Sequence, residues 1–160
     1  MALKYVEYEV ANRIGYITLN RPEKRNAFNE TLVLELKGAF KLAARDTKVK
    51  VIVMRANGQV FSAGADLAAL KKMQANTYDE NLKDSYALME LFSFIYRLPK
   101  VVIAQVEGHA IAGGCGLATV CDICFSVPEA KFGYTEVKIG FIPALVSVFL
   151  LRKIGEAQAK

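Results

Sequence analysis

GHAIAGGCGLATVCD, residues 108–122, holds four glycines and almost no charge before Asp122. It is flanked by the apolar runs VVIAQV (101–106) and ICFSV (123–127) and contains neither serine nor proline, so it is no flexible linker. The run reads as a strand-to-helix junction, with a short helix near 113–121. A second junction of the same kind, FSAGADLAAL, occupies residues 61–70. Bare backbone at a helix start exposes unpaired N–H groups with the positive end of the dipole behind them, and small residues let a ligand atom approach closely. Two such junctions at the carboxyl ends of adjacent parallel strands aim two N–H donors at one point, the geometry of an oxyanion hole. Either stretch alone also reads as tight helix–strand packing, and neither matches GxGxxG or GxxxxGK[ST], so a phosphate-cradling loop is unsupported.

Outward from these junctions the grammar is strand and helix in alternation. Residues 3–10 and 14–19 form a hairpin about an Asn12–Arg13 turn. After the polar loop NRPEKRNAFN, Asn29 caps a helix from Glu30 whose apolar positions Leu32, Leu36, Phe40 and Ala43 recur at helical spacing. VIVMRA (51–56), VVIAQV and ICFSV are near-continuous apolar strands, separated by helices near 67–74 and 78–97. In the longer one, Leu82, Tyr86, Met89, Phe92 and Tyr96 line one face, and Pro99 marks its end. Apolar strands joined by helices are parallel and covered on both faces, connected by right-handed crossovers. The class is α/β.

At 160 residues the chain fits one domain and can bury about 70% of its unfolded surface. Its N-terminus lacks the apolar core of a signal peptide, and its longest apolar run, IPALVSVFLL, is short of the roughly 20 residues a membrane span needs. The expectation is a cytoplasmic protein with no membrane association. Cys115, Cys121 and Cys124 all fall in apolar sequence, with one histidine, His109, and no second CxxC, so they read as buried free thiols and no metal site is expected. A net charge of +5 suits an anionic partner, a phosphorylated small molecule or RNA, without choosing between them.

NRPEKRNAFN, FSAGADL, EGHAIAGGCGLATVCD and FGYTEVKIGFIPA, in that order, resemble the enoyl-CoA hydratase/isomerase, or crotonase, superfamily over essentially the whole chain. The resemblance implies a spiral of repeated ββα units that binds coenzyme A thioesters, the coenzyme being part of the substrate and no other cofactor being needed. By motif position the thioester carbonyl would sit between the backbone N–H groups of Ala65 and Gly113. Asp66, Leu67, Ala63 and the loop residues Lys24 and Ala27 would line the acyl-CoA site. Arg21, Arg25, Lys71 and Lys72 are weaker candidates for its phosphates. The chemistry fits: proton removal beside a thioester carbonyl, or addition of water to the conjugated double bond, places negative charge on the carbonyl oxygen, which preorganised donors stabilise.

The family's hydratases use two glutamates to position water and move protons. The second matches Glu136; the first falls on Gly116. A hydratase using Glu136 with another group, a double-bond isomerase with one base, and a related reaction through the same enolate all remain open, with hydration placed first. Without the motif, Glu136 would read as a surface carboxylate in a first helical turn. His109 reads as packed or solvent-facing, and Asp122 as a cap on the glycine-turn helix.

Family members are usually longer, with C-terminal helices that cover the acyl site and build trimers or pairs of trimers. This sequence stops at RKIGEAQAK, the opening of one such helix, so residues 1–160 are expected to form a single acyl-CoA-binding core lacking most of the C-terminal helical segment, as a fragment or a short form. A homotrimer or hexamer is expected. Two further readings stand beside the enzyme: a weakly catalytic acyl-CoA-binding subunit, and an RNA-binding protein, the latter without any stacking or RNA-binding motif to support it.

Overall fold

Asn12 and Arg13 both carry positive φ, 51° and 66°, the backbone of a tight turn whose twist matches its flanking strands. They join β1 (Val6–Ala11) to β2 (Ile14–Leu19) as the antiparallel hairpin the sequence predicts. A computed structural model describes residues 3–159 of the chain. From β2 the chain crosses through α1 (Glu30–Arg45) to β3 (Val51–Ala56), which runs parallel to β2. β5 (Val101–Val106) and β7 (Ile123–Ser126) add in parallel, completing a sheet of order β1-β2-β3-β5-β7. A second, smaller sheet is built from β4 (Val60–Ser62), β6 (His109–Ile111) and β8 (Phe132–Gly133), all parallel.

The first pass gives both strands of its hairpin to the large sheet; each later pass gives one strand to the large sheet and one to the small sheet before its helix. β3 and β4 lead into α2 (Leu67–Ala75) and α3 (Tyr78–Tyr96), β5 and β6 into α4 (Gly113–Val120), and β7 and β8 into α5 (Ala144–Ile154), followed by α6 (Glu156–Ala159). This is an α/β spiral of ββα units. The glycine-poor large sheet carries the core, and the small sheet presents its strand ends to the two turns.

The Asn29 side chain accepts the Leu32 N–H at 2.9 Å, starting α1 where its apolar stripe begins. Leu32, Leu36, Phe40 and Ala43 are fully buried, in one cluster with Ile17, Ile52, Met54, Val102 and Ala104. Burial of each large side chain contributes about 1.5–3 kcal/mol. α3 departs from the expected face. Its buried residues are Leu91, Phe92 and Ile95, while Leu82 and Tyr86 are exposed. The first turns of α3 are held by a capping box between Thr77 and Glu80 rather than by packing, and only its C-terminal half reaches the core.

Two further expectations are corrected. Cys115 and Cys121 are buried, but Cys124 is exposed, because β7 is an edge strand exposed along its length. Asp122 does not cap α4. It exchanges two 2.8 Å hydrogen bonds with the Val102 backbone and pins the end of the α4 unit to the start of β5. Among the described residues, no helix is long and apolar enough to cross a membrane.

Candidate functional site

The first turn is held by the NRPEKRNAF loop. Asn26, fully buried, donates to the carbonyls of Asn57 and Val60 and accepts from the Arg21 N–H, while Ser62 Oγ donates to the Asn26 carbonyl. Arg21, 8% exposed, reaches Asp66 Oδ2 at 2.6 Å and the Ala27 carbonyl at 3.0 Å. Asp66 in turn caps α2 by accepting the Ala68 N–H. Burial raises the Asp66 carboxyl pKa, but the Ala68 N–H and the Arg21 guanidinium more than offset it and leave it below the usual carboxylate range.

This network sets the direction of one backbone donor. Phe28 donates its N–H to the Gly64 carbonyl and accepts the Asp66 N–H, bracketing Ala65 in a parallel bridge. In such a bridge the N–H of the bracketed residue points away from the partner chain. The Ala65 N–H thus faces away from Phe28, and among the described residues it has no protein acceptor.

The second turn lies against the first. Ala112 adopts φ 52° and ψ −125°, a conformation costly for a residue with a Cβ, and its N–H donates to the Gly133 carbonyl at 2.7 Å. That strained residue swings the chain so that Gly113 opens α4, where its N–H has no intrahelical acceptor. Gly64, at φ 85°, is the point of contact. A Cβ there would fall 2.7 Å from Ala112 Cβ and 3.1 Å from the Gly113 nitrogen. Glycine at 64 and at 113 lets the two turns pack this closely; a Cβ at 113 would also press the Phe28 ring at 3.3 Å.

Glu136 follows β8 as the first residue of a 3-10 turn, Glu136–Ile139. It is half-buried, and its Oε2 is buried with no hydrogen-bond partner among the described residues. A buried carboxylate oxygen left unpaired costs free energy unless a ligand supplies the donor. Its charge acts on Cys115, two residues beyond Gly113, and on Tyr134: both have pKa values raised, first by burial and further by Glu136. At Gly116 there is no room for a second carboxylate. A Cβ there would lie 2.2 Å from Val146 Cγ1 and 3.1 Å from Phe92 Cε2. Nothing in the sequence announced that Val146, on α5, fills this space.

Of the other residues singled out, Lys24 and Leu67 are exposed, Ala63 is half-buried and Ala27 is buried beside Arg21. Arg21 itself is not free for a phosphate, because it is spent on Asp66 and Ala27. Lys71 and Lys72 are exposed on α2, and His109 is exposed with Nδ1 accepting the Lys131 N–H. Two surface clefts, one lined by Arg45, Lys50 and Lys100 and the other by Lys37, Lys41 and Phe94, contain none of the residues of this site. Among the described residues, no group of three or more His, Cys, Asp or Glu side chains is placed to hold a metal ion.

Residues 9–160 match the family model for enoyl-CoA hydratase/isomerase. A Thermus thermophilus protein provisionally assigned as an enoyl-CoA hydratase is 45% identical over 147 residues, covering 92% of this chain and 58% of that one. The 2,3-dehydroadipyl-CoA hydratase of Escherichia coli K12 is 35% identical, covering 92% of this chain and 56% of its own. A crystal structure from Legionella pneumophila, provisionally assigned as an enoyl-CoA hydratase/isomerase (crotonase), superposes with a TM-score of 0.95 at 44% identity, covering 99% of this chain and 61% of that one. The chain thus spans less than two thirds of the length of each of these relatives.

Proposed function

The chain belongs to the enoyl-CoA hydratase/isomerase family, and on that premise we propose that it acts on an unsaturated acyl-CoA thioester as a hydratase-type enzyme, with Glu136 as acid/base. The observation that carries this reading is a pair of unpaired backbone donors, Ala65 and Gly113, on two turns that touch at Gly64. The thioester oxygen sits between them. As water adds to C3, the π electrons move toward the carbonyl, the oxygen becomes an enolate and the two N–H groups stabilise its charge. Glu136 takes the proton released by the water and returns it to C2, so that one water is added across the bond. Removing one oxyanion-hole donor costs about 2.7–4 kcal/mol where a protease side-chain donor has been deleted, which sets the scale here. Lys24 and Leu67, exposed at the mouth, with Ala27, Ala63 and Asp66 behind them, line the binding groove.

A second reading has a specific observation behind it. With Val146 packed into the space above Gly116, the site has one carboxylate rather than two, which is sufficient for double-bond migration. There Glu136 removes a proton from C2 of a 3-enoyl thioester and delivers it to C4 through the same enolate. The two reactions separate in deuterated water with matched 2-enoyl and 3-enoyl thioesters. Hydration yields a 3-hydroxyacyl product with deuterium at C2; migration yields an isomer without added oxygen. Thioester binding without turnover on either substrate would leave only a binding subunit.

The assembly is a homotrimer or hexamer on this reading. Val137, Phe141 and Ile142 beside the site, and Val148 and Leu151 on α5, are exposed apolar residues that association would cover. A monomeric mass by light scattering would contradict it.

A further inference from the structure

Among the described residues no hydrogen bond holds the Glu136 carboxylate in place, and its buried Oε2 has no partner. Its position must come from the backbone that carries it, and that backbone is tied in turn to β6, to the residue that precedes α4 and to α4 itself. β8 pairs with β6 through Phe132 and Gly133, the Ala112 N–H donates to the Gly133 carbonyl, and the Tyr134 hydroxyl lies 2.7 Å from Thr119 Oγ1. Beyond Tyr134 the backbone bonds of the 3-10 turn among the described residues close onto the turn itself, as Lys138 N–H to the Thr135 carbonyl does. Tyr134 is the last anchor before Glu136.

The direction of that anchor follows from counting protons. Thr119 has one hydroxyl proton, and it donates to the Cys115 carbonyl at 2.9 Å. Thr119 Oγ1 is then the acceptor, and Tyr134 donates to it. The phenol proton is committed to α4 and not offered to Glu136, which keeps the carboxylate unpaired, as a base requires, while the ring fixes where it stands. We propose that Tyr134, locked to Thr119, is the positioning residue that holds Glu136 beside α4. The proposal rests on the reading of Glu136 as the acid/base. Burial, first, then the neighbouring Cys115 thiol of α4 and last the Glu136 charge keep the Tyr134 phenol protonated well above neutrality, so the donor persists at neutral pH.

The test compares Tyr134→Phe, Thr119→Val and the double variant in thioester turnover, with Glu136→Gln alongside. Expected is a loss of about tenfold in kcat for each single variant, the effect of one lost hydrogen bond, with KM and melting temperature little changed. The double variant loses no more than either single one, and Thr119→Ser, which keeps the hydroxyl, restores activity. Additive losses, or a Tyr134→Phe protein with lowered melting temperature and wild-type kcat, overturn the proposal. If Glu136→Gln retains turnover, the acid/base reading fails instead. A readout independent of turnover is the Glu136 side-chain carboxyl 13C resonance, which should be single and sharp in the wild type and broadened or split in Tyr134→Phe. An unchanged line overturns the positioning role.

Discussion

Gly64→Ala adds one methyl group at the point where the two turns meet. Gly64 sits at φ 85°, and a side chain in left-handed backbone costs about 1–2 kcal/mol. The new Cβ would fall 2.7 Å from Ala112 Cβ and 3.1 Å from both the Gly113 nitrogen and the Ile111 carbonyl oxygen. The first distance is too short to survive, so Ala112, already strained at φ 52°, must move and carry Gly113 with it. The second places carbon within the 2.7–3.1 Å shell where an oxygen would accept from that N–H. Losing one donor costs about 100–1,000-fold in kcat. The strain shifts the melting temperature by about 2–4 °C per kcal/mol. Gly155→Ala is the control: at φ 78° and ψ 163° it carries a backbone penalty of its own, at least as large, with open space around the added methyl and so without the contact. Steady-state kinetics on the enoyl thioester that the chain turns over, with thermal melts of both variants, separate the effects. If Gly64→Ala keeps kcat within about threefold of wild type (under 1 kcal/mol) at an unchanged KM, the contact does not guard an oxyanion hole.

Glu136→Gln should keep thioester binding and lose at least about 100-fold in kcat, the scale of a lost general base; single-turnover assays read it, and a small loss places the base elsewhere. Gly116→Glu should not add a second carboxylate to the site, because Val146 occupies its Cβ position. The variant should melt lower and stay at or below wild-type rate, whereas the pair Gly116→Glu with Val146→Gly recovers stability; a Gly116→Glu protein as stable as wild type contradicts the packing. Asp66→Asn leaves Arg21 buried without its charge partner and should cost about 3–5 kcal/mol at neutral pH by denaturant unfolding. The folded Asp66 pKa lies below its unfolded value of about 3.9, so its contribution is complete above that pH and is lost as pH falls below it. The gap between wild type and Asp66→Asn should therefore be constant from neutrality down to about pH 5 and narrow under stronger acid; a gap that widens on acidification contradicts the ion pair.

Local signals were legible in the sequence wherever a few neighbouring residues decide the structure. Asn12–Arg13 predicts its turn, Asn29 its helix start, and the small residues at 61–70 and 108–122 their strand-to-helix junctions. The small sheet was not legible, because strands such as Val60–Ser62 and Phe132–Gly133 are too short for any alternation to register. The long helix was read correctly at Phe92 and Tyr96, which reach the core, but not at Leu82 and Tyr86, because its period was carried back over turns that never do. The remaining misses are contacts between distant positions. Arg21 and Asp66 are 45 residues apart, and a charged residue in a polar loop gives no sign that it is buried against a partner. Gly116 reads as a missing carboxylate; only the fold shows Val146 in its place. Tyr134 carries no signal in FGYTE that its hydroxyl meets Thr119.

The convergence of the Ala65 and Gly113 donors on one oxygen is tested most directly by amide NMR of the 15N-labelled chain titrated with a non-reactive saturated acyl-CoA. Both amide protons should move downfield together, along one saturation curve, and neither should move with free coenzyme A lacking the thioester carbonyl. A shift at only one of the two, or equal shifts with the free coenzyme, would contradict a shared carbonyl oxygen.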